Sequence, residues 1–168
     1  MGKNVKITAP ISGDVFIAAE NVTIDSEGYI NSNLFVTCNK LIVNSSVYDL
    51  YAVAKDITIG ESGYVYRDIR STSSNIDIFG TVGRNAYINC SKIALNSKDG
   101  STGYATEDSG ELSGIIYGNL EYTSSTELSN SEEYIKGEND IIDEEQLKNP
   151  CCEYPFIEWN KKQDRQDY

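Results

Sequence analysis

The sequence predicts an all-β fold: a right-handed parallel β-helix in which about six triangular coils of 16–19 residues stack into a solenoid. Three observations predict it. Apolar residues recur in the same order five times, they alternate with outward positions at a period of two, and the length variation is confined to one turn. Because one coil is too short to bury its own apolar side, the coils must stack on each other.

Five apolar columns define the repeat, and Ser71 is their only polar member. The columns are Ile11, Ile30, Val47, Val65 and Val82; Val15, Leu34, Leu50, Ile69 and Ala86; Ile17, Val36, Ala52, Ser71 and Ile88; Val22, Leu41, Ile57, Ile76 and Ile93; and Ile24, Val43, Ile59, Ile78 and Leu95. Successive members of the second column are 19, 16, 19 and 17 residues apart, whereas the step from the second column to the fourth is always seven. One corner of each coil therefore has a constant length.

The same pattern sets the domain limits. Val5 and Ile7 match Val22 and Ile24, so they form a first partial coil, and residues 116–122 form a last one. The β-helix domain is thus predicted over residues 4–123. The Gly-, Ser- and acid-rich segment at residues 96–114 is either a loop insertion or one degenerate coil.

Residues 124–168 are predicted to be an acidic C-terminal extension, with 12 acidic and 5 basic residues. Residues 143–148 fit a short capped helical turn. The aromatic cluster at residues 150–159 is placed to cap the open end of the solenoid, whose strand edges need a partner. Cys151 and Cys152 are expected to be free thiols or an unusual vicinal pair rather than acylation sites.

A left-handed hexapeptide helix is the structural alternative. It needs inward residues at every sixth position, whereas the inward spacings here run four, two, five, two and then four to six. This irregular three-sided pattern favours the right-handed form.

Composition argues against several function classes. A net charge of -12 disfavours nucleic acid and anionic membrane surfaces as partners. The chain has no His, which removes the commonest general base and metal ligand. No Cys pair has CxxC spacing, and no apolar run approaches the ~20 residues of a membrane helix. We expect no enzyme activity, no cofactor, no metal, and membrane attachment only through segments outside this chain.

Two polar or small columns are predicted to be structural. Ala19, Cys38, Ala54, Ser73 and Cys90 occupy a tight corner, and the two thiols, three coils or ~14 Å apart, cannot form a disulfide. Asp14, Asn33, Asp49, Asp68, Asn85 and Asn119 precede the second strand. They could bind Ca²⁺ or act as an acid pair, but a turn ladder that bonds the local backbone is favoured. The acidic loop at residues 98–111 lacks EF-hand spacing and is predicted to be solvated.

An outward aromatic column is the sharpest functional candidate: Phe16, Phe35, Tyr51, Arg70 and Tyr87. Stacked rings with one Arg stabilise neighbouring coils, and an exposed stripe of this length also suits a contact face. Tyr29, Tyr48, Tyr64 and Tyr66 add aromatic surface near the variable turn.

The repeat resembles the bactofilin family and the related polymer-forming β-helical domains of bacterial membrane proteins. Residues 11–24, 80–88 and 118–124 carry the resemblance, which covers roughly residues 4–123. It implies a right-handed triangular β-helix that joins end to end into non-polar filaments without nucleotide. It also implies a place in the bacterial cell envelope, either outside the cell beside transmembrane helices or as a membrane-associated cytoskeleton. The insertion and the long acidic extension depart from the family pattern.

Two functions are therefore expected. The first is a non-enzymatic scaffold that self-associates end to end, through Val5 and Ile7 at one end and Leu120 and Tyr122 at the other. Its partner would be a second copy or a cell-envelope component. The alternative is an adhesin-like surface module that binds glycan or protein through the stripe from Phe16 to Tyr87. A polysaccharide lyase or hydrolase is disfavoured, because short coils leave little wall for a catalytic groove.

Overall fold

The computed structural model describes residues 2–95, 114–125, 128 and 135–141. All of its regular structure is β. The strands are β1 (Gly2–Ile7), β2 (Val15–Ile24), β3 (Ile30–Val43), β4 (Ser46–Ile59), β5 (Tyr64–Val65), β6 (Ile69–Ile78), β7 (Thr81–Val82), β8 (Ala86–Leu95), β9 (Ile115–Ile116), β10 (Leu120–Thr123) and β11 (Asn139–Ile141). Every strand pairs in parallel, so the chain is a β-solenoid, as predicted.

The register confirms the repeat alignment. The long strands stack in the order β1, β2, β3, β4, β6, β8, β10 and β11, while β5, β7 and β9 form a second row that continues from the start of β4. Val15 pairs with Leu34, Leu34 with Leu50, and so on through Ile69 and Ala86. Val5 and Ile7 lie on Val22 and Ile24. Equivalent residues of successive coils are thus direct neighbours along the axis, and the eight stacked strands make about seven turns rather than six.

The shared interior is built from the inward columns. Leu34, Leu50 and Ile69 have no exposed surface, and Ala86 and Leu120 continue their column. Ser71 is also buried, and its hydroxyl has no hydrogen-bond partner among the described residues. The core is continuous because each apolar side chain contacts its equivalents above and below at the ~4.8 Å spacing of paired strands.

The column of small residues at Ala19, Cys38, Ala54, Ser73 and Cys90 lies where the strand bends from one side of the coil to the next, so a single strand covers two sides. Strands β3 and β4 each run for 14 residues without interruption, and the corner residues Cys38 and Ala54 pair within them. Cys38 and Cys90 are buried free thiols, as their spacing predicted.

The direct pairing of β8 with β10 favours the loop insertion over a degenerate coil. Ala86 lies on Leu120 and Val82 on Ile116, so no rung separates the coils before and after residues 96–113. The chain re-enters the stack at Gly114, whose φ of 75° lies in the left-handed region that glycine adopts without strain. Its N–H donates to the Phe79 carbonyl at 2.7 Å.

Beyond residue 123 the stacking continues into the segment predicted to be an extension. Ile135 bridges to Ile116, and β11 pairs with β10. Leu120 and Tyr122 therefore lie between two strands, not on an open edge, and both are buried. The Tyr122 hydroxyl accepts the N–H of Leu128 at 3.1 Å. The predicted acidic loop, helical turn and aromatic cluster, with Cys151 and Cys152, lie outside the described residues.

Candidate functional site

The predicted aromatic stripe forms a stack along the solenoid axis. The rings of Phe16 and Phe35 are 4.6 Å apart and tilted by 4°, and those of Phe35 and Tyr51 are 4.7 Å apart and tilted by 12°. The Arg70 guanidinium carbon lies 4.6 Å from the Tyr87 ring centre and 6.0 Å from that of Tyr51. The parallel register brings all five side chains onto one sheet face.

Stacking hides most ring faces and turns the ring edges outward. Phe35 has a ring on either side of it, and Tyr51 lies between Phe35 and Arg70. Phe16, on the first rung of the stack, is 74% exposed. The stripe is therefore a wall of edges rather than a row of separate aromatic platforms.

This wall borders a shallow groove of about 750 Å³ that crosses six rungs. The groove lies between the stripe, extended by Glu121, and a second outward column two residues further along each strand. The second column consists of Ala18, Thr37, Val53, Thr72, Asn89 and Thr123. The sheet backbone between the two columns is the floor.

The groove is divided along its length. Its first three rungs carry Phe16, Phe35 and Tyr51 on one wall, whereas the next three carry residues with a charged, hydroxyl or amide group on both walls. Among the described residues, Arg70 is the one cation that lines it and Glu121 the one anion. The groove is thus nearly neutral in a chain of net charge -12.

The Asx column forms a hydrogen-bonded ladder between coils. The Asp49 side chain accepts the N–H of Asp68 at 3.0 Å, and Asp68 accepts that of Asn85 at 3.2 Å. Asn85 in turn accepts the N–H of Asn119 at 2.9 Å. The Asn119 side chain accepts the N–H of Glu138 at 3.0 Å, so the ladder reaches the last rung.

Arg residues neutralise the two buried carboxylates of this ladder. Arg67 pairs with Asp49, and Arg84 donates two bonds of 2.8 and 2.7 Å to Asp68. Burial raises the pKa of Asp68, but the bonds from Arg84 and from the Asn85 N–H, with the positive charges of Arg84 and Arg70, outweigh it and leave that pKa below its ordinary value. Both carboxylates are therefore held by Arg side chains and backbone N–H groups of the next coil.

Each Asx residue from Asp49 onward lies against one residue of the next coil, the residue immediately before the next position in the Asx column. The identities of these two residues are correlated, and we call this correlation the pairing rule. Asp49 and Asp68 face Arg67 and Arg84, whereas Asn85 and Asn119 face glycines. At Gly118 a Cβ would lie 2.4 Å from the Asn85 side-chain oxygen, and at Gly137 the distance to Asn119 would be 2.3 Å. From Asp49 onward, Asp therefore goes with Arg and Asn with Gly. The first two members differ, since Ser32 donates to Asp14 and Tyr48 precedes the position after Asn33.

This arrangement favours the structural interpretation of the Asx column over Ca²⁺ binding or acid catalysis. In the described part of the chain no group of three or more candidate metal ligands comes together. No helix there is long and apolar enough to cross a bilayer.

The first rung leaves part of the sheet edge open. Strand β1 pairs with β2 only from Ala19 to Ile24. The edge of residues 15–18, and the outer edge of β1, pair with no described residue. Val15 and Ile17 on that edge are half-buried, and Phe16 stands beside them. Val5 and Ile7 lie on β1 itself, where they were predicted to form an end contact.

No protein-family model, curated protein sequence or solved structure matches this chain. The resemblance to bactofilins therefore stays a prediction from the repeat. The fold rests on the register alone, and function has to be argued from the surface geometry.

Sequence reasoning found one wall of the groove and missed the other. The second column is small and mostly polar, so it carried no signal, although its members lie two residues after the stripe in each coil. The Arg partners of the ladder were missed too. Their signal was available, since Arg67 and Arg84 each immediately precede an Asx residue.

Proposed function

We propose that the chain is a non-enzymatic structural scaffold that self-associates through the open edge of its first rung. The observation that carries the proposal is the edge of β1 and of residues 15–18, which pairs with no residue that the structure describes and leaves Val15 and Ile17 half-buried. Unpaired strand edges are templates for pairing with another chain. The bactofilin resemblance implies the same class of function, a polymer-forming element of the bacterial cell envelope.

A contact between two first rungs would be isologous, with a two-fold axis across the solenoid axis. It would stack Phe16 near its equivalent in the second copy. At the other end, the contact predicted at Leu120 and Tyr122 moves outward to β11, because that strand already pairs with β10.

Charge opposes this association at low salt. Two copies meeting at their first rungs bring two Lys3 side chains into one interface, whereas Lys6 is paired with Asp25 at 2.6 Å, and each copy carries a net charge of -12. Both repulsions weaken when the Debye length falls from about 30 Å at 0.01 M salt to about 8 Å at 0.15 M. Assembly should therefore increase with ionic strength.

Multi-angle light scattering over a concentration series, at these two ionic strengths, tests the proposal. Ala18→Lys puts a charge on the open edge and should lower the assembled fraction. Val53→Lys is the matched control, because Val53 is in the same outward column but inside the sheet. A monomer at every concentration, or equal effects of the two variants, would refute the proposal.

The exposed groove favours a second candidate, a surface-binding module that uses the stripe from Phe16 to Tyr87. Exposed aromatic surface bordered by polar residues can mark an interaction site. Binding to glycan and protein arrays should be lost in the double variant that combines Tyr51→Ala with Tyr87→Ala. Unchanged array binding would remove the stripe from consideration.

A further inference from the structure

We propose that the groove binds a neutral, unbranched glycan chain lying along the solenoid axis. This inference rests on the second candidate function and names its ligand class. Three properties of the groove lead to it: its shape, the state of its floor and its charge.

The shape selects a long and narrow occupant. Six rungs at ~4.8 Å make the groove about 24 Å long, and two outward residues on one strand are about 7 Å apart. A folded partner would contact this strip, about 24 Å by 7 Å, over only about 170 Å², against the ~800 Å² per partner of a stable protein interface. The strip alone is therefore too small to hold a second copy of this chain, whereas a single polymer chain fits it.

The floor disfavours an extended peptide. The sheet backbone under the groove is already paired, Phe35 between Phe16 and Tyr51 and Arg70 between Tyr51 and Tyr87. The open edge of residues 15–18 runs across the end of the groove, so a peptide lying along the groove would find no strand edge to extend there. Its own N–H and C=O groups would thus lack regular partners. A glycan needs no such edge, since its hydroxyls bond to side chains in many orientations.

The charge and the side-chain donors favour neutral sugars. Thr72, Asn89 and Thr123 place one neutral polar group on each of three successive rungs, opposite Arg70, Tyr87 and Glu121. A polymer with regularly spaced hydroxyls can meet such a row. The Arg70 guanidinium is 3.4 Å from the Asp68 carboxylate, and Glu121 and then Asp140 continue its column, so the groove holds no excess of positive charge. The net charge of -12 also repels polyanions at long range.

Affinity electrophoresis of the full chain tests the inference, in native gels containing hydroxyethylcellulose, pullulan or laminarin as neutral chains and polygalacturonate as the anionic chain. Thr72→Val and Tyr87→Phe each remove one hydroxyl and keep the shape of the groove. Each should weaken retardation by a neutral glycan about five- to tenfold. Thr58→Val and Tyr117→Phe are the matched controls on other surfaces and should change nothing.

Three results would overturn the inference. They are retardation by none of the neutral chains, retardation that survives both groove substitutions, and stronger retardation by polygalacturonate. If stripe-dependent binding to a protein or peptide on the arrays accompanies the first result, the groove is a binding site and only its ligand class is wrong. If neither arrays nor gels show stripe-dependent binding, the second candidate function fails as well.

Discussion

Asp68 offers the sharpest test of how the coils are held together. Its carboxylate accepts bonds from Arg84 and from the Asn85 N–H, and Arg70 lies 3.4 Å away. In Asp68→Ala the N–H of Asn85 loses its acceptor and two Arg side chains lose their partner. Breaking a fully buried ion pair costs about 3–5 kcal/mol. Because the Arg84 and Arg70 side chains are 52% and 47% exposed and regain water, we expect a loss of about 2–3 kcal/mol.

Asp68→Asn should cost less, about 1–1.5 kcal/mol, because the amide oxygen can still accept the Asn85 N–H. The pairing rule predicts a compensating change. Asn at this ladder position goes with Gly in the next coil, as Asn85 does with Gly118. Arg84→Gly alone leaves Asp68 buried beside only the more distant Arg70. The double variant should therefore be about 1–2 kcal/mol more stable than the sum of the two single losses predicts.

Urea unfolding followed by circular dichroism measures these free energies of unfolding, with a check that the m-value stays constant. Because the pKa of Asp68 is lowered by folding, its charge stabilises the fold above the unfolded-state pKa of 3.8, and this contribution is lost as the pH falls through the folded-state pKa. The difference in free energy of unfolding between the wild type and Asp68→Asn should thus be largest near pH 7 and should shrink below about pH 4. If Asp68→Ala and Asp68→Asn lowered the free energy of unfolding equally, the Asn85 N–H would not depend on an acceptor at residue 68. If the losses of Asp68→Asn and Arg84→Gly were strictly additive, the two residues would not be coupled. Either result would refute the proposed role of the ladder.

Three further outcomes are expected. Leu50→Ala, at a fully buried rung, should lower the free energy of unfolding by about 2–5 kcal/mol, whereas Val53→Ala, on an exposed position, should change it by less than about 0.5 kcal/mol in the same urea assay. Ser71→Ala removes a buried hydroxyl without a described partner and should raise thermal stability, by about 1 kcal/mol in calorimetry; a loss would show that the hydroxyl has a partner. Burial raises the pKa of Cys90 to about 11, so this thiol should react with a disulfide reagent at pH 8 only after denaturant is added, as peptide mapping would show.

The fold could be predicted from sequence because the columns are redundant. Each of the five inward columns is sampled in five coils, so one exception such as Ser71 does not hide the pattern. The last rung was missed because Asn139 replaces the apolar residue expected opposite Leu120. A weaker signal was present, since Ile135 and Gly137 lie 19 residues after Ile116 and Gly118.

The groove was harder to predict than the stripe, because it depends on two columns at once. Alternation shows that Phe35 and Thr37 point outward from the same strand. It does not show that the space between their columns is open, because this depends on the sizes of all twelve side chains. The Arg partners of the ladder likewise depend on register across turns of variable length.

The stacking also determines how a function on this surface must be tested. An inward residue is fixed by the coils above and below it, whereas an outward residue contacts mainly its neighbours in the column. A single outward substitution removes at most two such contacts, and a groove of six rungs keeps the other five. A weak effect of Tyr51→Ala alone would therefore not exclude the groove as a binding site. Combining it with Tyr87→Ala changes two separated rungs of the same wall, leaves the inward columns intact, and should abolish binding if the whole wall contacts the ligand.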